Sequence, residues 1–586
     1  MTGISWRMDY HWRGWPRVLL ALLVLAAFAN SLGGGFFSDD YPIIVNNRLV
    51  GEPHLYSLLT TDYWGPGRNT GLHRPLTVLS YAVNRSLFGA GAFSFHLVNV
   101  LLHGGVTLLL YETILALGVG TDVGWTAAAL FAVHPIHTET VNIITGRSEL
   151  LAAFFVFLGL LLAFRGGRML RRGVGVCQAL ALLSKESAVV FPLLLFLGDA
   201  FRERDLRVLL RRRWRLYAQS AVITLVWLSV RRWALPSAKL LSTASVRPLD
   251  NPLMDLALPW RLLTALKVQL LYLGKLAFPL RLHAVYVNRM LGSVTGVGDL
   301  AWVVVLLAVA ALAGLAVFGG RRREAYSLGL LWYGTAFLLT GNFIVVLPYL
   351  MAERFAYLPS AGYCLAVASL AWVVLRAVGE RKRRWTALTA LAVAIVLLAG
   401  RTLARNRDFQ DNLGLWEAET RIEPTNIRAW LFLADAYRQK ERWGDAERAL
   451  LAATRLDPAL PEPWVALGEL WRTLGRSPEA RSAYQRALDS DFVSQDAVTG
   501  FVDMSLRLGR PQDALALLAW CADLFRDRGW YWHLAGRSRD AVGDGGGAVQ
   551  AYRTALSRAD CPEETPGVLR ELQTRMGGGM AAPARP

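Results

Sequence analysis

The stretch WLFLADAYRQKERWGDAERALLAATRLDP, residues 430–458, contains a pattern of small and large residues that recurs through the C-terminal part of the chain. The pattern returns 34 positions later, from Trp464 to Ala487, and again from Trp532 to Ala555. A repeat of this length is typical of stacked helix pairs, in which small residues let the two helices of a pair approach closely. The C-terminal part is therefore predicted to be an α-solenoid.

The period and the alternation of residue sizes are those of a tetratricopeptide repeat. Four units are predicted over 426–562, after a linker and half repeat over 403–425 and before a partly disordered tail over 563–586. Such arrays offer a concave surface that suits an extended polypeptide. We expect the repeats to bind an acceptor or partner polypeptide, and a homo-oligomerisation surface is the alternative.

The chain has the composition of a membrane protein, and apolar runs long enough to cross a bilayer recur before residue 402. Of 586 residues, 54% are hydrophobic and only 18% are charged, whereas soluble domains carry about 25% charged residues. These values, with four cysteines, exclude a disordered chain and a small disulfide scaffold. We predict an all-α chain with a polytopic membrane helix bundle over 1–402. About eleven spans are expected, at 17–32, 93–117, 123–141, 148–164, 173–184, 187–201, 216–235, 299–318, 325–348, 360–377 and 385–402.

The net charge of +18 comes largely from short basic loops between the apolar runs, which indicates membrane topology rather than nucleic-acid binding. With eleven spans, the basic head and the loops at 165–172, 202–215, 321–323 and 376–384 all lie on the cytoplasmic side. The repeats then lie on the other side. The stretch 260–280 holds three basic residues and is interpreted as interfacial or re-entrant. A cleaved signal peptide is the alternative for the first span.

The unusual polar residues of the membrane half gather in loops assigned to the non-cytoplasmic side. Ionisable residues at span ends are costly to desolvate, so several clusters on one side indicate a water-filled functional cavity. The alternative is that each cluster only neutralises itself at the membrane interface. The clusters are Asp39 and Asp40; His73 and Arg74; His134, His137, Glu139, Arg147 and Glu149; Lys185 and Glu186; and Glu353, Arg354 and Tyr357.

The order of these segments resembles that of the transmembrane, tetratricopeptide-repeat-containing O-mannosyltransferases and their bacterial relatives. The acidic pair, the HRPL, HPIHTE, SKES and AERFAYLPS segments and the repeat array carry this resemblance over residues 17–560. It implies a GT-C class membrane glycosyltransferase that moves a hexose, with mannose expected, from a polyprenyl-phosphate carrier to a protein Ser or Thr hydroxyl, with inversion. A membrane scaffold without catalysis, or a transporter, is the alternative. The spans show no internal duplication of the kind common in transporters.

The chemistry of this reaction suits the residue types in the clusters. A carboxylate can accept the proton of the acceptor hydroxyl, and of Asp39 and Asp40 we favour Asp39 as this base. The leaving phosphate needs cations, with Arg74, Arg147, Lys185 and Arg354 as candidates. We expect Glu186 to orient Lys185 and Glu353 to orient Arg354. The remaining donor-binding candidates are His73, His134, His137, Glu139 and Tyr357.

The sequence also bears on the cofactors that the reaction would need. The only cofactor-like group expected is the lipid-linked sugar itself, although His134, His137 and Glu139 leave a divalent metal open as an alternative.

The segment 278–288 lacks the carboxylate that the family would place between the seventh and eighth spans. An Arg-, Ala- and Gly-rich composition and a repeat domain without glycosylation sequons favour a bacterial plasma (inner) membrane; in a eukaryote, the site would face the ER lumen.

Overall fold

A computed structural model of the chain divides into two compact units, Met1–Ile422 and Glu423–Pro586. Every element in the described part of the chain is a helix, with no strand, which confirms the predicted all-α class. The structure describes residues 14–37, 39–65, 70–203, 205–236, 251–254, 256–296, 298–322, 324–377, 381–490 and 493–576.

The first unit contains long apolar helices joined by short polar segments. Its α-helices are α1 (Trp15–Phe28), α2 (Arg48–Gly51), α3 (Leu55–Thr60), α4 (Pro75–Phe88), α5 (Ala92–Ala116), α6 (Thr121–Val133), α7 (Thr138–Asn142), α8 (Arg147–Arg165), α9 (Arg168–Ser184), α10 (Phe191–Arg202), α11 (Leu206–Ala234), α12 (Leu258–Ala277), α13 (Asn288–Leu291), α14 (Ala301–Arg322), α15 (Ala325–Thr340), α16 (Tyr357–Ala377), α17 (Arg381–Asn406) and α18 (Asn412–Ile422).

Six helical segments in the described residues are long and apolar enough to cross a membrane, and each coincides with a predicted span. This supports a membrane protein, while the total of about eleven spans stays a prediction. The six are Trp15–Gly33, Ala92–Ala116, Ile144–Arg165, Ala301–Arg322, Glu353–Ala377 and Leu388–Phe409.

Three predicted spans differ from the helices in the structure, and in one of them, 325–348, the helix α15 already ends at Thr340. The span at 123–141 is broken because α6 ends before His134, and Pro135 begins a 3-10 turn that leads into α7. The span at 187–201 starts as a 3-10 helix, Glu186–Val190, before α10 begins. These breaks place polar side chains at helix ends. The stretch 260–280, interpreted as interfacial, is largely one continuous helix, α12.

Helices α15 and α16 pack through two glycines. A Cβ added at Gly329 would lie 2.5 Å from the Gly362 carbonyl oxygen, and the converse addition would meet the Gly329 oxygen at the same distance. Small residues allow such close helix contacts in membranes, where apolar side chains gain little by leaving the lipid. The contact fixes the start of α16, directly after the segment that carries Arg354.

The second unit is a series of helix pairs. Its helices are α19 (Ile427–Gln439), α20 (Trp443–Leu456), α21 (Pro461–Thr473), α22 (Ser477–Leu488), α23 (Gln495–Arg507), α24 (Pro511–Trp520), α25 (Ala522–Phe525), α26 (Gly529–Ala541), α27 (Gly545–Leu556) and α28 (Thr565–Arg575). Helix α28 lies in the tail predicted as partly disordered, whose residues 577–586 fall outside the described part.

The same contacts recur at the repeat period. Gly468 faces the buried Tyr484, and 68 residues later Gly536 faces the buried Tyr552. In three units the tryptophan indole donates to a carbonyl six residues earlier, as Trp464 does to Pro458 at 2.9 Å. The repeat in the sequence therefore corresponds to a repeat of packing.

Candidate active site

The two adjacent aspartates after the first span have different surroundings. Asp40 is fully buried, and its carboxylate accepts hydrogen bonds from the backbone N–H groups of Phe37 and Thr145, each at 2.9 Å. Burial raises the pKa of Asp40 to about 7, against the lowering effect of those N–H donors. Because both oxygens are occupied, Asp40 ties its own loop to the segment that precedes α8.

Asp39 is only partly buried, and its carboxylate makes no hydrogen bond within the described residues. Burial raises its pKa; the charge of Arg354 lowers that pKa and the charge of Glu139 raises it again. Asp39 therefore lies close to an arginine–glutamate pair from two other segments. Of the two aspartates, it is the one whose carboxylate oxygens remain available.

Arg354 pairs with Glu139, not with its neighbour Glu353. Its backbone N–H donates to Glu139 Oε2 at 2.8 Å, and its guanidinium Nη1 donates to Oε1. The guanidinium carbon also lies 5.1 Å from the Tyr349 ring centroid and 5.4 Å from that of Phe355. The Glu139 side chain is 2% exposed and that of Arg354 is 28% exposed, so the cation reaches solvent while its partner does not.

Lys185 is also paired differently from the prediction, and its expected partner Glu186 binds Arg74 instead. Lys185 forms an ion pair with Glu149, and both side chains are under a tenth exposed. Arg74 donates through Nε and Nη2 to Glu186 Oε2, both at 3.0 Å. Lys185 has extended backbone angles, φ −159° and ψ 143°, and Glu186 begins a 3-10 helix, so the two neighbours have different partners.

Three cations converge in this region. Burial lowers the pKa of Lys185, the ion pair with Glu149 opposes that shift, and the charges of Arg74 and Arg354 lower it further. Repulsion of this kind requires Arg74 and Arg354 each to lie within electrostatic range of Lys185. Together with Asp39 they form what we call the candidate site: Asp39, Arg74, Lys185 and Arg354, with Glu139, Glu149 and Glu186 as their carboxylate partners.

His73 lies beside this group, and Arg147 lies away from it. The His73 backbone N–H donates to Glu186 at 3.1 Å, while its ring Nε2 donates to the Leu59 carbonyl at 2.9 Å. Arg147 has no exposed surface, and its guanidinium donates to Asn84, Asn99 and the Phe95 carbonyl, each at 2.9 Å. Contact between Arg147 and a donor phosphate, as predicted from the sequence, would require these bonds to break.

The remaining predicted residues pack inside the bundle. His134 uses both ring nitrogens, toward the Leu276 carbonyl and Ile136 N, and His137 bonds Ser360 at 2.8 Å. The Tyr357 hydroxyl donates to His103 Nδ1 at 2.8 Å, which directs the ring inward. Among the described residues, no group of three or more His, Cys, Asp or Glu side chains is arranged to hold a metal.

The predicted residue Glu353 contacts several buried residues that the sequence does not indicate. Glu353 Oε1 accepts from His283 N at 2.6 Å and from the Tyr286 hydroxyl at 2.9 Å. The ring of His283 and the N–H of Ala284 bind Glu419, at 2.8 and 3.0 Å. The segment 278–288 has no carboxylate of its own, but the carboxylates of Glu353 and Glu419, from two other segments, bind to it. A lone histidine in an apolar loop was the only signal in the sequence.

The chain is similar in sequence to several animal protein O-mannosyl-transferases. No protein-family model matches the chain. A protein O-mannosyl-transferase of Caenorhabditis elegans is 28% identical over 452 residues, 75% of this chain and 63% of that protein. The mouse protein O-mannosyl-transferase TMTC3 is 25% identical over 501 residues, 80% of this chain and 54% of that protein. The chain thus spans less than two thirds of either relative.

Solved structures add little to this comparison. The oligosaccharyltransferase of Archaeoglobus fulgidus, tethered with an acceptor peptide, is 14% identical. The match covers 74% of this chain and 59% of that one, with a TM-score of 0.37, which is too low to carry an argument.

Proposed function

We propose that this chain is a membrane-embedded protein O-mannosyltransferase, which transfers mannose from a polyprenyl-phosphate carrier to a Ser or Thr hydroxyl of a polypeptide. The observation that carries the proposal is the candidate site: one accessible carboxylate, Asp39, lies close to Arg354, within a group of three paired cations. The similarity to animal protein O-mannosyl-transferases supports mannose and a protein acceptor.

Asp39 acts as the general base in this proposal. A hydroxyl is a weak nucleophile, and a carboxylate that accepts its proton as the new bond forms at the sugar C1 speeds the substitution. Burial raises the pKa of Asp39, which makes it a stronger proton acceptor than an ordinary aspartate. Asp40 does not contact the substrate; it holds the loop through Phe37 and Thr145.

Arg354, Arg74 and Lys185 stabilise the leaving phosphate. As the bond from C1 to the phosphate oxygen breaks, negative charge grows on that oxygen, and fixed cations in a partly dry site lower the energy of this state. Glu139 engages one terminal nitrogen of Arg354, so its other N–H groups are available for phosphate oxygens. Lys185 is more deeply buried, and it adds a point charge rather than a second fork.

The repeats of the second unit bind the acceptor polypeptide in this proposal. The site faces the non-cytoplasmic side because the basic loops are assigned to the cytoplasm. A bacterial plasma membrane rests on composition and on the absent sequons alone, since the relatives above are animal proteins. Labelling of inserted cysteines by a membrane-impermeant reagent in a bacterial host, and glycosylation of inserted sequons in a eukaryotic host, test sidedness in the two membranes.

The direct test measures transfer of labelled sugar in membranes that contain the full chain. Polyprenyl-phosphate-mannose and the glucose analogue are offered separately, with secreted proteins as acceptors. We expect label in protein from the mannose donor, and none from either donor with Asp39→Asn. Equal labelling by wild type and Asp39→Asn would reject Asp39 as the base. If neither donor lost its sugar in any membrane, the proposal that the chain is a glycosyltransferase would be rejected.

A further inference from the structure

A chain of buried contacts connects helix α18 to the residue before Arg354. Glu419, on α18, accepts from the His283 ring at 2.8 Å and from Ala284 N at 3.0 Å. His283 N donates in turn to Glu353 Oε1 at 2.6 Å. Both carboxylates have no exposed surface, and the His283 side chain is 5% exposed. We refer to this set as the Glu419–His283–Glu353 chain.

Arg405 supplies the countercharge to this chain. It is fully buried, its Nη2 lies 3.8 Å from Glu419 Oε2, and its Nη1 donates to Asp408 at 3.0 Å. Among the residues that the structure describes, its Nε and Nη2 and the Glu353 Oε2 atom have no hydrogen-bond partner, so these charges are only partly satisfied. Partly satisfied buried charges are a poor source of stability compared with apolar packing. Their presence therefore points to a role in positioning.

We propose that Glu419 is a positioning residue for the candidate site: through His283 and Glu353 it fixes the backbone on which Arg354 is held toward the donor phosphate. The side chain of Glu353 is bound on one side of this peptide, and the N–H of Arg354 is bound to Glu139 on the other. Helix α18 also ends directly before the second unit. This inference rests on the proposed function, because it assigns Arg354 to the donor.

A kinetic cycle tests whether Glu419 acts through Arg354. Glu419→Gln preserves the size of the side chain but places an NH2 group near two donors, and we expect kcat to fall roughly 10- to 100-fold, with KM for the acceptor unchanged. In an Arg354→Ala background the same substitution should cause no further loss. If the double variant instead lost activity by the product of the two single losses, the inference would be overturned. Glu423→Gln, four residues on and bonded to Thr425, is the matched control and should match wild type.

Two variants of His283 separate positioning from a general loss of folding. His283→Asn keeps an N–H donor near the place of Nδ1 and should retain most of the activity. His283→Ala removes that donor and should reproduce the loss seen with Glu419→Gln. Equal activity of the two variants would contradict a chain that runs through the ring.

Hydrogen exchange provides a readout that needs no activity. In the full chain, Glu419→Gln should speed amide exchange in peptides covering 282–287 and 352–357, whereas Glu423→Gln should change neither. Unchanged exchange over 352–357 would overturn the inference, whatever the enzyme does. Faster exchange there in a chain that transfers no mannose would uphold the structural link and reject the proposed function instead.

Discussion

Arg354 binds the Glu139 carboxylate through both its backbone N–H and its guanidinium group. Its backbone N–H donates to Oε2 at 2.8 Å, and its guanidinium donates to Oε1 of the same carboxylate. The Tyr349 and Phe355 rings lie within 5.5 Å of the guanidinium carbon, at 5.1 and 5.4 Å. A cation fixed in this way needs little reorganisation when charge develops on a leaving phosphate.

The geometry of Arg354 predicts that charge alone does not suffice at this position. In Arg354→Lys the charge remains, but the planar fork that can bind Glu139 and phosphate oxygens together is lost. We expect kcat for mannose transfer to fall by about 10- to 100-fold, corresponding to one or two lost hydrogen bonds to a charged group. Arg212→Lys, an ion-paired arginine of α11, is the control. Full activity of Arg354→Lys would argue against phosphate binding by a fork.

Asp39→Asn should remove the base while leaving the fold intact. The Asp39 carboxylate makes no hydrogen bond within the part of the chain that the structure describes, so its loss disturbs no packing. We expect transfer to fall by about 10² to 10⁴-fold, as for other general bases, with Tm unchanged. Transfer assays and thermal unfolding on the same preparation check this. A variant with more than half the activity would exclude Asp39.

The pH dependence of transfer should follow Asp39. The base acts as the carboxylate, and burial raises its pKa, so activity is lost as pH falls through a value above the ordinary aspartate pKa of about 3.9. The acid limb of the kcat profile measures this pKa in the bound complex. An acid limb at the ordinary aspartate value would show that the base is in water, not beside Glu139.

Asp40 should affect stability more than chemistry. In Asp40→Asn an amide NH2 faces a backbone N–H, which leaves a buried donor unsatisfied at a cost of about 1 to 3 kcal/mol. Since the folded pKa of about 7 exceeds the unfolded value, protonation of Asp40 stabilises the fold at low pH, and this contribution is lost as pH rises through 7. Asp40→Asn should have a lower Tm than wild type, and its Tm should no longer show the pH dependence that comes from titration of Asp40. An unchanged Tm would contradict the assigned contacts.

Gly468 should be intolerant of a side chain. A Cβ there would lie 2.8 Å from the buried Tyr484 ring, and the α21–α22 pair would have to open. We expect Gly468→Ala to destabilise the second unit by about 1 to 3 kcal/mol, as overpacking does. Gly444→Ala is the control: a Cβ at this helical glycine meets nothing within 4 Å, so the change should be neutral or stabilising. An equal Tm for Gly468→Ala and Gly444→Ala would contradict the close packing of Gly468 against Tyr484.

The class of the fold could be predicted from the sequence because its signals are local and periodic. Small residues such as Gly468 recur at the repeat period, and long apolar runs such as Ala92–Ala116 become helices. Helix breaks are harder to predict, because hydropathy is averaged over a window. The predicted span 123–141 is apolar on average, yet α6 ends before His134.

The residue types of the site could also be predicted, but their partners could not. Ionisable groups at span ends are rare enough to be noticed, which drew attention to Lys185 and Arg354. We assigned each to its neighbour in sequence, Glu186 and Glu353, whereas the structure pairs them with Glu149 and Glu139. Partners separated by 36 and 215 residues are set by helix packing, and one sequence carries no signal of it.

The most direct measurement follows mannose from synthetic polyprenyl-phosphate-mannose to an acceptor polypeptide, with purified full chain in lipid nanodiscs. Wild type, Asp39→Asn and the exposed control Asp122→Asn, at the start of α6, are compared in single-turnover experiments. We expect wild type and Asp122→Asn to form the glycosylated product at equal rates, while Asp39→Asn forms it at least 100-fold more slowly, as loss of a general base predicts. Equal rates in all three proteins, or no product with any of them, would contradict catalysis at Asp39.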